Sequence, residues 1–200
     1  MSKKLLIIFV KNIKLAKVKT RLAKTVGNEN AIKVYKALVE ITEKVTSNMN
    51  IDKRIYFSDA INHKQWKNDF KAVQKGSNLG ERMSNAFQDG FDDGYTEIVL
   101  IGSDLPNITK NVIDRGFKSL KNKDVVFGPA EDGGYYLIGF SKFHKCVFEN
   151  KAWSTSSLLE ETLAELNQKK IEVSLIETLN DIDTFEDLQS YPKFLKLISK

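Results

Sequence analysis

Much that would assign a protein quickly is missing from this sequence. It has one cysteine, Cys146, which excludes an internal disulfide and fits a reducing, cytoplasmic setting. Its first apolar run, residues 5–10, is too short for a signal peptide. Nothing in the chain approaches the roughly 20 apolar residues of a membrane span. Neither sign of charge dominates: 31 basic against 26 acidic residues leave a formal net charge of +5. The lysines are scattered, and no basic stripe interleaves with aromatics, so nucleic acid is not an expected partner. Arginine is scarce, at four against 27 lysines. There is no linker, repeat or low-complexity segment, and no glycine-rich phosphate loop of the P-loop or G-x-G-x-x-G kind after the first apolar run.

What is present is a soluble core and a regular alternation. Two hundred residues at 42% hydrophobic can bury one substantial core, so residues 1–200 are expected to form a single domain. Strand patterns are expected at 5–10, 53–58, 97–101, 124–127, 135–140 and 171–175. Helices are expected at 28–47, 80–91, 110–120, 156–169 and 184–198. The helix at 28–47 carries Ile32, Tyr35, Leu38, Val39, Thr42 and Val45 on one face at three-four spacing. Alternation of this kind implies an α/β fold, a three-layer sandwich with a mostly parallel central sheet between two helical layers.

Four segments carry chemistry. Residues 97–106, Glu-Ile-Val-Leu-Ile-Gly-Ser-Asp-Leu-Pro, run from an apolar strand into Gly102, Ser103 and Asp104. Asp104 thus falls just past a strand's carboxyl end, where open α/β sheets bind ligands, and a carboxylate there can hold a divalent cation against phosphate. An aspartate capping the next helix is the plainer alternative. The basic loop after the first strand, 11–24, places Lys11, Lys14, Lys17, Lys19 and Arg21 in one βα connection. Side chains must do there what glycines do elsewhere, and the Arg21 guanidinium offers a planar fork to phosphate oxygens. A solvated loop, or Arg21 pairing with a helix carboxylate, is the alternative.

In the third segment, residues 127–139, four of the chain's 11 glycines flank Glu131 and Asp132. Gly133-Gly134 permits positive φ and close backbone approach, and Tyr135 follows; a simple hairpin with an acidic turn would show the same D-G signal. In the fourth, Thr184 to Asp187 has the form of a capping box, which leaves Asp181 and Asp183 unexplained. One of these two could supply a second ligand to a cation held by Asp104. His63 and His144 are expected at the surface.

In this order, K-x-K-T-R-L, G-S-D-L-P, G-P-A-x-D-G-G-Y-Y-L-I-G and D-I-D-T-x-E-D-L resemble the radical-SAM/selenodomain-associated transferase family. That family belongs to the nucleotide-diphospho-sugar transferase (GT-A) superfamily, and Asn78-Leu79-Gly80-Glu81-Arg82-Met83 also fits it. The resemblance implies a GT-A fold and a transferase using a nucleotide-activated donor, with glycosyl transfer first. Nucleotidyl transfer, as in 2-phospho-lactate guanylyltransferases, or a non-catalytic nucleotide-binding module are the alternatives. It implies Lys19 and Arg21 on phosphates, with Lys11, Gly80, Arg82, Gly102 and Ser103 around the nucleotide. Asp104 and Asp183 would ligate Mg²⁺ or Mn²⁺, and the Asp132–Tyr135 loop would face the acceptor, with Asp132 as candidate base. The glycine-rich L-x-G-G-x-G-x-R-M start of sugar-1-phosphate nucleotidyltransferases is absent. The partners implied are a nucleotide-sugar or NTP donor and a small-molecule acceptor; base, transferred group, acceptor and oligomeric state are not specified.

Overall fold

The computed structural model describes residues 3–14 and 17–198. Seven strands, β1 (Lys4–Val10), β2 (Asp52–Phe57), β3 (Phe70–Val73), β4 (Glu97–Ile101), β5 (Val125–Pro129), β6 (Tyr135–Phe140) and β7 (Val173–Leu175), form one sheet in the order β3-β2-β1-β4-β6-β5-β7. Every neighbouring pair is parallel except those made by β6, which runs antiparallel to both β4 and β5. The order steps one way from β1 to β2 and the other way from β1 to β4. A topological switch point therefore opens between the carboxyl ends of β1 and β4.

The helices are α1 (Thr20–Val26), α2 (Asn28–Ser47), α3 (Leu79–Asp92), α4 (Lys110–Ser119), α5 (Leu158–Gln168), α6 (Phe185–Gln189) and α7 (Pro192–Ile198). Strand residues alternate between two cores, as the two-residue period demands. Leu6, Ile8, Val10, Val99 and Ile101 pack with Tyr35 and Val39 of α2 and with Val112 and Phe117 of α4. Leu5, Ile7, Phe9, Ile98 and Leu100 pack with Met83 and Phe87 of α3 and Leu159 and Leu166 of α5. This is the expected three-layer α/β sandwich. A third cluster, in which Leu22 of α1, Ala31, Val34 and Leu38 of α2, Leu188 and Phe194 bury Ile182, ties the end of the chain onto α1 and α2. No helix of the described residues is long and apolar enough to cross a membrane.

Several boundaries differ from expectation for identifiable reasons. The basic loop ends at Lys19, because α1 starts at Thr20; its Leu15 and Ala16 lie outside the described residues. The expected closing helix at 184–198 is two helices, since Pro192 lacks an N–H and disfavours helical backbone at Tyr191. Strand β3, at the sheet edge with Phe70 exposed, is only 4 residues long, too short to announce itself by periodicity. His144 is half-buried near Phe140, where burial lowers its pKa, rather than a surface residue.

Candidate active site

Strand β1 delivers the basic loop and β4 delivers Asp104 to the switch point. Ile182, buried against Leu22, holds the segment before α6 beside the start of α1. Three stretches far apart in sequence thus meet at Lys19. This residue caps α1 with left-handed backbone, φ 47°, a strained conformation for a lysine. Its side chain is 4% exposed. Lys19 Nζ donates to Asp104 Oδ2 at 3.0 Å and to Asp181 Oδ2 at 2.7 Å, and lies 4.0 Å from Asp183 Oδ1. The Arg21 guanidinium pairs with Asp183 at 3.1 Å.

The charges are strongly coupled. Burial alone would lower the pKa of Lys19, but the carboxylates of Asp104 and Asp181 outweigh it and hold the ammonium charged above the ordinary lysine range. Burial pushes Asp104 up, and Lys19 overrides this to leave it below the usual carboxylate value. Asp181 stays above it, because burial and the neighbouring Asp104 charge exceed the pull of Lys19.

The cleft has two halves. The polar half is lined by Lys11, Lys17, Lys19 and Arg21 and by six carboxylates, those of Asp104, Glu131, Asp132, Asp181, Asp183 and Asp187, a formal excess of two negative charges. Asp187 is committed to the capping box, accepting from Thr184 N and Oγ1. Phe9, Leu79, Met83, Tyr135, Trp153 and Leu158 wall the other half. Asp104, Asp132, Ser154 and Asp181 border both.

Most expected site residues gather here, and four do not line the cleft. Lys11, Lys19, Arg21, Asp104, Asp132 and Asp183 line the polar half; Gly102, Gly134 and Tyr135 line the apolar half. A side chain at Gly102 would crowd Asp104 Oδ1, so the glycine leaves room for that carboxylate. Ser103 is buried, its hydroxyl 3.1 Å from Tyr35 Oη, which also accepts from Lys11 N at 3.0 Å. Burial pushes the Tyr35 hydroxyl up to about 12. Ser103 thus braces Tyr35 and the basic loop. Gly80 is bare because the Trp153 ring rests on it, and Gly133 (φ 87°) because the Ser156 carbonyl does. Arg82 turns away, donating to Gly76 O at 3.1 Å, and lies with Arg54 in a separate groove.

The Glu131–Gly134 turn is the hairpin weighed above: Ala130 N donates to Gly134 O at 3.0 Å, and Asp132 Oδ1 accepts from Gly134 N at 2.9 Å. That turn is also a wall of the cleft. The Tyr135 hydroxyl is buried without a hydrogen-bond partner among the described residues, and burial raises its pKa.

Sequence reasoning passed over Trp153 and Ser154. Trp-Ser-Thr-Ser-Ser at 153–157 was the available signal, but a Ser/Thr cluster suggests a helix cap. Ser157 makes no side-chain cap; Thr155 Oγ1 donates instead to Ala152 O at 2.8 Å, and the cluster forms cleft wall.

The donor chemistry of the polar half fits a hard divalent cation, which is commonly held by one or two carboxylates plus substrate phosphate. Asp104 and Asp181 already converge on one positive group, and the acidic excess would repel phosphate unless another cation entered. Among the described residues no three His, Cys, Asp or Glu side chains form a ready metal cluster.

The model of a family described as "Uncharacterized protein conserved in bacteria (DUF2064)" matches residues 41–155. The structure of a candidate nucleotide-diphospho-sugar transferase from Desulfovibrio desulfuricans G20 superposes with a TM-score of 0.88 at 34% identity, over 96% of this chain and 88% of that one. A 4-diphosphocytidyl-2C-methyl-D-erythritol synthase from Anaerococcus prevotii DSM 20548 shares the fold, with a TM-score of 0.63 at 13% identity over 98% and 96%. The chain is also 30% identical over 125 residues to a 2-phospho-L-lactate guanylyltransferase from Methanocaldococcus sp. (strain FS406-22). That match covers 61% of this chain and 53% of the relative, so the chain spans about half of the relative's length.

Proposed function

The chain belongs to this DUF2064 family, and from that premise we propose that it is a nucleotide-utilising transferase moving a glycosyl group from a nucleoside-diphosphate sugar to a small acceptor. The observation that carries the reading is the convergence of Lys19, Arg21, Asp104, Asp181 and Asp183 at the switch point, with Asp132 at the border of the two halves. Similarity to the D. desulfuricans protein over nearly the whole chain supports the donor class. The finer placement beside radical-SAM and selenodomain proteins rests on the four motifs.

In this mechanism Lys11, Lys17 and Arg21 bind the diphosphate, and the fork of Arg21 orients it. Lys19 keeps Asp104 and Asp181 together and adds its own charge. Mg²⁺ or Mn²⁺, when bound by Asp104 and Asp181, supplies positive charge against the departing phosphate. Asp181 is proposed as the second ligand in preference to Asp183, because Asp181 shares Lys19 with Asp104 whereas Asp183 pairs with Arg21. Asp132 accepts the proton of the acceptor hydroxyl as its oxygen attacks the anomeric carbon. The carbon–oxygen bond to phosphate breaks, and the nucleoside diphosphate leaves with the bonding pair.

Nucleotidyl transfer is the second reading, supported by the guanylyltransferase relative and by the charge of the K-T-R-L loop. Incubation with UDP-, GDP-, ADP- or CDP-sugars and Mn²⁺ is expected to release the nucleoside diphosphate. NTP with a phosphorylated hydroxy acid is expected to release no pyrophosphate. Pyrophosphate formed together with consumption of the phosphorylated acceptor would reverse the order of the two readings. Tight nucleotide binding without any turnover would leave a binding module.

A further inference from the structure

The apolar half of the cleft differs from the polar half in one respect that bears on the acceptor: among the described residues no lysine or arginine lines it. Among the described residues its charged lining is Asp104, Asp132 and Asp181, all at the border and all acidic. At about 280 Å³ it falls below the range that encloses a drug-sized ligand, so it holds one ring or a short branched chain, not a nucleotide. The wall is built. Gly80 carries no side chain where the Trp153 ring lies on α3, and Ser154, the next residue, is held at φ 66°. Phe9, Met83 and Leu158 are each under 10% exposed.

We propose that this half is the acceptor subsite, and that it selects an uncharged or cationic acceptor with an apolar body while rejecting phosphorylated and carboxylate compounds. This rests on the reading of the basic loop as the donor's phosphate site, which leaves the acceptor to approach from the other side of Asp132 and Ser154. An anion there would meet three aspartates, and the one cation beside them, Lys19, is already shared between Asp104 and Asp181 and lines the polar half instead, so like-charge repulsion disfavours it. An alcohol or amine meets apolar walls and an acidic rim, and its attacking atom is delivered to the candidate base. The selectivity is opposite to that required by a phosphorylated hydroxy acid.

Benzyl alcohol, benzylamine and benzyl phosphate share one ring and differ in charge, which makes them suitable probes for calorimetry or ligand-observed NMR on the full chain. Binding at roughly millimolar Kd is expected for ligands of this size. The alcohol and the amine are expected to bind at least roughly tenfold more tightly than the phosphate. Leu79→Lys, at a half-exposed position on the wall, should close most of that gap without loss of thermal stability. Benzyl phosphate binding as tightly as the alcohol would overturn the proposal. So would failure of all three probes, an unchanged gap in Leu79→Lys, or displacement of the alcohol by uridine or guanosine, which would make the cavity a base pocket. UDP and GDP titrated into the same samples with Mn²⁺ report on the polar half separately. Absence of nucleotide binding there counts against the transferase reading, while the order of the three probes still decides the charge preference of the cavity.

Discussion

The ammonium of Lys19 lies 2.7 Å from the carboxylate of Asp181, a residue 162 positions further along the chain, and 3.0 Å from that of Asp104. One buried cation therefore joins the loop after β1, the loop after β4 and the segment before α6. Two aspartates that would otherwise repel each other are held side by side.

Removing that cation should destabilise the fold in a pH-dependent way. Lys19→Met is expected to cost about 2–4 kcal/mol near pH 8, toward the lower end for a broken buried pair because both carboxylates are about a third exposed. The deficit should shrink as the pH falls toward 4, when the unpaired carboxyls take up protons. At the alkaline end the deficit should shrink again. The Lys19 pKa is raised above 10.5 in the folded protein, so its stabilisation is complete below pH 10.5 and fades above it. Urea unfolding of the two proteins at pH 5, 8 and 11.5 checks all three points; a deficit independent of pH would sink the account.

Asp104→Asn keeps the shape and removes the charge. Nucleotide binding should lose its response to Mn²⁺ while the far-UV spectrum stays unchanged. The Asp104 pKa is held below 3.8, so the group contributes stability above that pH and loses it as the pH falls through the folded value. The variant should therefore show a shallower acid limb in a thermal-melt series. A Mn²⁺ response equal to the parent's would remove Asp104 from the metal proposal.

Arg21→Lys preserves charge but not the planar fork. The side chain is 64% exposed and touches Asp183, so stability should hardly change. Affinity for a nucleoside diphosphate should drop roughly tenfold, about 1–2 kcal/mol. Equal affinities by calorimetry would mean that Arg21 serves only its pairing with Asp183.

Gly133 and Gly94 separate backbone strain from collision. Both have positive φ, 87° and 81°, but only Gly133 has a backbone carbonyl, that of Ser156, where a side chain would go. Gly94→Ala should cost about 1–2 kcal/mol for left-handed backbone alone. Gly133→Ala should cost more and displace the Trp153–Ser154 wall, weakening probe binding in the apolar half. Chemical denaturation of both variants decides whether the two penalties differ.

The layers of the fold were legible because they depend on local pattern. Residues 28–47 announce α2 through three-four spacing, and 98–101 announce β4 as a short β-branched apolar run that ends in Gly-Ser-Asp, the pattern of a strand covered on both faces. The capping box at Thr184 and Asp187 was equally legible, since it is written within four residues. Pro192, which divides the last helix, is as local a signal, yet it lost to the apolar periodicity on either side of it.

The position of Asp104 past β4 also follows from sequence, because a strand's end and its polar loop are adjacent in the chain. Which carboxylate stands beside it does not. Asp181 and Asp183 have the same residue type and nearly the same place, and only the burial of Ile182 against Leu22 sets one against Lys19 and the other against Arg21. The roles of Gly80, Ser103 and Gly133 were decided in the same way, by Trp153, Tyr35 and Ser156, partners at least 20 residues away along the chain. Sequence by itself determined the elements and the chemistry available at their ends, because periodicity and loop residues act over a few positions. Tertiary structure alone decided which charges pair and which half of the cleft, among the described residues, is lined by no cation, because packing of distant segments, and not their spacing, brings those side chains together.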